Sequence, residues 1–168
     1  MTRLTTEWVE YMLDGMDEYN RDLRNKSGFD LAEMTAHTFG FSKEQMKALQ
    51  DTIRVGVVPV TQGEGLISCF SESIAAIVES MGFSAEVAAH TDVDGIYDCY
   101  RKGFDVIFMA DDRRYVAVNT NRHQFSDNNY ATALGYIRVL EAMIAKNGGM
   151  CSRIRQPILV IGHGIVGK

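Results

Sequence analysis

The sequence predicts an α/β fold with three parts: a helical N-terminus, a parallel-sheet α/β domain, and the opening strand of a second α/β unit. Three observations carry this. The first fifty residues repeat apolar side chains every three or four positions. From Val55 onward, short β-branched runs alternate with helical stretches. Near the end, the apolar run Ile158–Ile161 passes straight into glycines. Strands separated by helices pair in parallel through right-handed crossovers.

Thr5 or Thr6 caps a predicted helix reaching about Leu23, with Trp8, Met12, Met16, Tyr19 and Leu23 at helical spacing. Asp30 with Glu33, and Ser42 with Gln45, form two capping boxes. They open helices to Phe39, stopped by Gly40, and to about Leu49. Val55–Val60 reads as a strand, and Gly63-Glu64-Gly65 turns it into a helix from about Ser68 to Met81. Ser84–Ala89 is a weaker strand, Asp94 starts a helix to about Lys102, and Val106–Ala110 is a strand running into Asp111-Asp112. Tyr115–Val118 reads as a short strand pairing locally across the Asp112–Arg114 turn. Residues 129–146 form a long helix with Ala133, Tyr136, Ile137, Leu140, Met143 and Ile144 on one face. The stretch Asn147–Gln156 is linker-like, which divides the chain into 1–50, 51–148 and 149–168.

Composition narrows the function classes. Seventeen Lys and Arg against twenty-two Asp and Glu leave a net charge of −5, which opposes general nucleic-acid binding. No apolar run approaches the ~20 residues of a membrane span. Glu7 and Glu10 argue against a secretory leader. Three widely spaced cysteines fit a reducing, cytoplasmic setting. At 168 residues the chain can bury a core without disulfides.

Gly162-His163-Gly164-Ile165-Val166-Gly167 matches G-x-G-x-x-G directly after an apolar strand. In a Rossmann domain these glycines permit the tight turn, the approach of a pyrophosphate and close helix packing. The helix and the ribose-binding acid needed to complete such a site would fall after Lys168, so the sequence as given is not expected to complete it. Ser68, Ser71, Glu72 and Ser73 sit on the first turns of the 68–81 helix, at the end of an α/β sheet where ligands bind. Helix capping alone selects the same residue types. Asp111-Asp112 closes another strand, where adjacent carboxylates hold an ammonium or accept a proton, or simply form a solvated turn beside Arg113 and Arg114. Asn119, Asn128 and Asn129 are candidate hydrogen-bonding residues, and Asn128 is also an ordinary N-cap. The four histidines have no metal spacing. Cys69, Cys99 and Trp8 read as core residues. An alternative for Trp8 is a helix that closes over a ligand.

Gly56-Val57-Val58-Pro59-Val60-Thr61, Phe70-Ser71-Glu72-Ser73, Met109-Ala110-Asp111-Asp112 and Asp127-Asn128-Asn129, in this order, resemble the pyrrolysine biosynthesis dehydrogenase family. The resemblance covers nearly the whole chain. It implies NAD-dependent oxidation of the terminal amine of 3-methylornithyl-Nε-lysine, with cyclisation to pyrrolysine. It further implies a substrate cleft between an N-terminal part and a Rossmann domain, of which this chain holds only the start. Carried over by position, Asp111 and Glu72 are catalytic, Leu4, Ser71 and Asn129 bind substrate, and Gly162, Gly164 and Gly167 hold NAD. A small amino-acid-derived substrate is the expected partner, with a homodimer as one possible assembly and no metal. Two other readings share this layout: a dehydrogenase acting on shikimate- or folate-like substrates, and a non-catalytic ligand-binding module.

Overall fold

The computed structural model describes residues 5–147, 158–160, 164, 166 and 167. Thr5 caps α1 (Thr6–Asp14), its hydroxyl accepting from the Trp8 N–H at 3.4 Å. The helix expected to run to Leu23 breaks at Gly15, and α2 (Met16–Ser27) follows. A Cβ on Gly15 would stand 2.6 Å from the Tyr11 carbonyl oxygen and 2.8 Å from its ring, so the break needs glycine. The buried apolar positions are Val9, Met16 and Leu23, seven apart, while Trp8 is 60% exposed. Trp8 is therefore not a core residue; its neighbour Val9 fills that place. Both predicted capping boxes form in full, opening α3 (Leu31–Phe39) and α4 (Lys43–Thr52).

Five strands follow: β1 (Arg54–Val58), β2 (Ser84–Val87), β3 (Val106–Ala110), β4 (Tyr115–Asn119) and β5 (Gln124–Asp127). Their order is β2-β1-β3-β4-β5. The first three are parallel, but β4 and β5 are antiparallel, so the sheet is mixed rather than parallel. The reason is the connection: only antiparallel neighbours can be joined by a turn as short as Asp111–Arg114. The helices between strands are α5 (Phe70–Ser80), α6 (Asp92–Arg101) and α7 (Asn128–Asn147), with a 3₁₀ turn at Gly63–Leu66 leading into α5.

The sheet separates two apolar clusters. On one side α1 and α5 bring Val9, Phe70, Ile74 and Ala75 onto Val57 and Ala110. On the other, Val58, Ala88, Cys99, Phe104 and Ile107 pack under α6. Cys99 is a core residue as expected. Cys69, at the N-cap of α5 with φ +61°, is half-buried and packs against the margin of the first cluster. The long helix α7 turns Ala142 inward and leaves Tyr136 and Ile137 exposed, against the face expected from spacing. Its C-terminal end is tied to α2 by Lys146, whose ammonium donates to the carbonyls of Arg24 and Asn25.

Ile158, Leu159 and Val160 are exposed and form no strand. A strand needs a neighbour for its backbone groups, and the five strands of the sheet bond only to one another among the described residues. Ile161, Gly162 and the 148–157 boundary lie outside the described residues.

Candidate functional site

Register decides which residues meet. Val58 pairs with Met109, Met109 with Val116, and Val116 with Asp127, so one line crosses β1, β3, β4 and β5. Everything just past that line gathers at one edge: the β1–α5 connection, Asp111–Arg114 and the start of α7. The N-termini of α5, α6 and α7 follow β1, β2 and β5 at this same end. This is where open α/β sheets bind ligands. The opposite edge is closed by a polar network. There Asp105 accepts from the Arg54 N–H at 2.8 Å and from the Asn121 amide at 2.6 Å.

Tight loops shape this edge. Gly63 has φ +62°, and a Cβ on it would fall 2.5 Å from the Asp112 carboxyl carbon and 2.7 Å from the Asp112 backbone nitrogen. The β1–α5 loop thus lies directly against the β3–β4 hairpin. Thr61 is fixed on the other side by Asp92, which accepts from its N–H at 2.9 Å and its hydroxyl at 2.5 Å. Those bonds hold the Asp92 carboxyl below its ordinary range.

Two of the expected residues join one hydrogen-bond chain. Asp111 Oδ1 accepts from the backbone N–H groups of Arg113 and Arg114, each at 2.7 Å. These bonds, with smaller help from the two arginine charges, lower its pKa and keep it ionised. Its Oδ2 has no partner among the described residues. Arg114 pairs with Asp127 at 3.3 Å, and Asp127 Oδ1 accepts from the Asn129 N–H at 2.9 Å. The Asp127 pKa is lowered first by that backbone bond, then by the Asn129 side chain and by Arg114. Asp127, not Asn128, is therefore the side chain that caps the start of α7. Asn129 is half-buried and Asn128 exposed.

Ser71 and Glu72 occupy the first turn of α5 and are not in that chain. Ser71 is 6% exposed, and its hydroxyl has no hydrogen-bond partner among the described residues. Glu72 is exposed and likewise unpartnered. Ser68 falls in the turn before the helix, which starts two residues later than its sequence suggests. Leu4 and Gly162 lie outside the described residues. Gly164 and Gly167 are exposed, and a Cβ on Gly164 would meet nothing within 4 Å. The described part of this segment thus builds no cradle, and the expectation of NAD rests on its sequence.

Tyr115 and Asp127 were not singled out by the sequence as site residues. Tyr115 stands edge-to-face with Phe70 and with Phe108, ring centroids 6.3 Å apart in each pair. Burial alone pushes its phenol up to about 12. Its place after the Asp-Asp-Arg-Arg turn was the available signal: the first residue of a hairpin's return strand sits beside the last residue of the outgoing one, here Ala110.

Among the described residues no group of three metal-ligating side chains is found, and no helix is long and apolar enough to cross a membrane. A cavity of about 320 Å³ lies elsewhere, on α4, lined by Phe41, Gln45, Ala48, Leu49 and Thr52.

Residues 9–126 match the family model described as pyrrolysine biosynthesis protein PylD, N-terminal domain. The chain belongs to this family. Two curated relatives, both named pyrrolysine synthase, are similar over long stretches. That of Methanosarcina acetivorans is 30% identical over 167 residues, 99% of this chain and 59% of the relative. That of Methanosarcina barkeri is 32% identical over 128 residues, 76% of this chain and 46% of the relative. The chain therefore spans less than two thirds of the length of either relative. The family's matched region holds β1 through the first three residues of β5, and so all of the α5 and hairpin parts of the site.

Proposed function

We propose that this chain supplies the substrate-holding part of an enzyme of pyrrolysine formation that oxidises the terminal amine of 3-methylornithyl-Nε-lysine with NAD. Family membership supports the pathway. The observation that carries the site is the pair of ionised carboxylates, Asp111 and Asp127, set on either side of Arg114 at the carboxyl end of the sheet.

The residues divide the work by their chemistry. Asp111 offers a free Oδ2 on a carboxylate whose pKa is lowered, which makes it a good holder of an ammonium and a poor base. Glu72 has no partner to satisfy, so it is the group free to take a proton from the amine. Removing that proton must precede loss of hydride from the neighbouring carbon, because only the neutral amine can push electrons into the forming imine. NAD, when bound, takes the hydride. The backbone of Asn129 is fixed by its N–H bond to Asp127, and its side-chain amide, which also reaches Asp127, is assigned to a substrate carbonyl. Val9 anchors α1 against α5, and Leu4, ahead of α1 in sequence, is assigned an apolar contact with the substrate from the family resemblance alone. In this reading the protein works in the cytoplasm on a small molecule.

The test is NADH formation by the full-length protein given NAD and 3-methylornithyl-Nε-lysine. Wild type is expected to form NADH, and D111N to need at least tenfold more substrate. Absence of NADH from the wild type, with NAD shown to bind, overturns the reading.

A further inference from the structure

We propose that Tyr115 is a substrate-binding residue of this site, its phenol donating a hydrogen bond to a carbonyl or carboxylate oxygen of the ligand. This rests on the proposed function for the identity of the ligand, and on the structure for the hydroxyl. A buried tyrosine ordinarily finds a partner for its O–H. Tyr115 packs its ring between Phe70 and Phe108 beneath α5, yet its hydroxyl has no partner among the described residues. It is also not sealed away: among the described residues, the one fully buried side-chain polar atom without a partner is Arg138 Nε. The phenol therefore reaches space open to a solute. Packing gives no reason for the oxygen, since phenylalanine would make the same ring contacts.

The surroundings state which end of a ligand belongs here. With its pKa raised to about 12, the phenol stays protonated and acts as a donor. Ser71, the residue after Phe70 and itself 6% exposed, adds a second unpartnered hydroxyl. The first turn of α5 has no side-chain cap; the Phe70 and Ser73 N–H groups bond to the Ile67 and Cys69 carbonyls, which leaves those of Ser71 and Glu72 as further donors. The hydroxyls of Tyr115 and Ser71 thus lie among the carboxylates of Glu72, Asp111 and Asp127 at one end of the sheet. A ligand carrying both an oxygen acceptor and an ammonium fits this mixture, and an amino acid derivative carries both.

The substrate has two such acceptors, its α-carboxylate and its isopeptide carbonyl, and three probes separate them. Full-length wild type and Y115F are compared on 3-methylornithyl-Nε-lysine, on its α-carboxamide, and on the analogue with CH₂ in place of the isopeptide carbonyl. Calorimetric Kd and thermal midpoint are measured for each. The expected result is a Kd raised about tenfold in Y115F on the parent compound, as for loss of one hydrogen bond to a polar or charged acceptor. The midpoint should be unchanged or higher, and the wild type and Y115F should become equal on one of the two analogues, which names the acceptor. Equal Kd on the parent compound overturns the role of Tyr115 and leaves the proposed function standing. A penalty of equal size on all three probes also overturns it, since that marks a structural effect. If the wild type binds none of the three, both the proposed function and the role of Tyr115 fall.

Discussion

Replacing Gly63 with alanine should disturb the contact that seats the β1–α5 loop on the hairpin. Two costs can be worked separately. Gly63 has φ +62°, and an L-residue there costs about 1–2 kcal/mol. The new Cβ would also stand 2.7 Å from the Asp112 backbone nitrogen, an approach that backbone must yield to. Such overpacking costs about 1–3 kcal/mol. The sum, roughly 2–5 kcal/mol, should lower Tm by about 5–15 °C for a chain of this size. Gly103 supplies the control, because it has φ +69° with nothing within 4 Å of a Cβ. G103A should show the conformational cost alone, about 1–2 kcal/mol. The assay is paired thermal and urea denaturation of the two variants. A G63A variant no less stable than G103A refutes the claim that the loop and the hairpin are pressed together at Gly63.

Further expectations can be checked by similar means. G56A should cost about 1–3 kcal/mol, because its Cβ would sit 2.7 Å from Cys99 Sγ. Adding C99A should recover part of that loss, and a double-mutant cycle in urea measures the coupling. S42A should destabilise by about 1 kcal/mol through loss of the cap on the Gln45 N–H. His90 should titrate by NMR above its ordinary 6.5, chiefly because it hydrogen-bonds Asp98. Its folded pKa is raised, so the stabilisation is full below the unfolded value and is lost as pH rises through the folded one. D98N should return the titration toward 6.5. Asp111 and Asp127 have the opposite sign: their lowered pKa gives stability present above about 3.8 and lost as pH falls through the folded values. An acid titration of stability should therefore be shallower in D127N.

The helix starts were the most legible feature of the sequence. Capping is local, so Thr5, Asp30 and Ser42 announce their helices without any tertiary information. The strands β1 and β3 were equally plain, because Val55–Val58 and Val106–Ala110 are continuous runs without a polar side chain, buried or half-buried throughout. β5 was not, since Gln124–Asp127 holds a single large apolar residue, Phe125, and that residue is exposed. Its place comes from pairing with β4, which no local pattern reports. Likewise the choice of Val9 over Trp8 is made by the surface of α5 and not by periodicity, which both residues satisfy. At the site, Asp111 was legible as a carboxylate ending a strand. Its partnership with Asn129 through Arg114 and Asp127 depends on a register that aligns residues of four strands. Tyr115 escaped notice because its sequence role, an aromatic in a strand, is that of a packing residue. Only the missing partner of its hydroxyl sets it apart.

On the proposed function, the carboxyl end of the sheet receives an amino-acid-derived ligand. Amide chemical-shift mapping of the full-length protein during titration with 3-methylornithyl-Nε-lysine locates that ligand. The largest shifts should cluster at residues 61–63, 70–73, 111–115 and 127–129. Shifts confined to the α4 cavity around Phe41, Ala48 and Leu49 would contradict it.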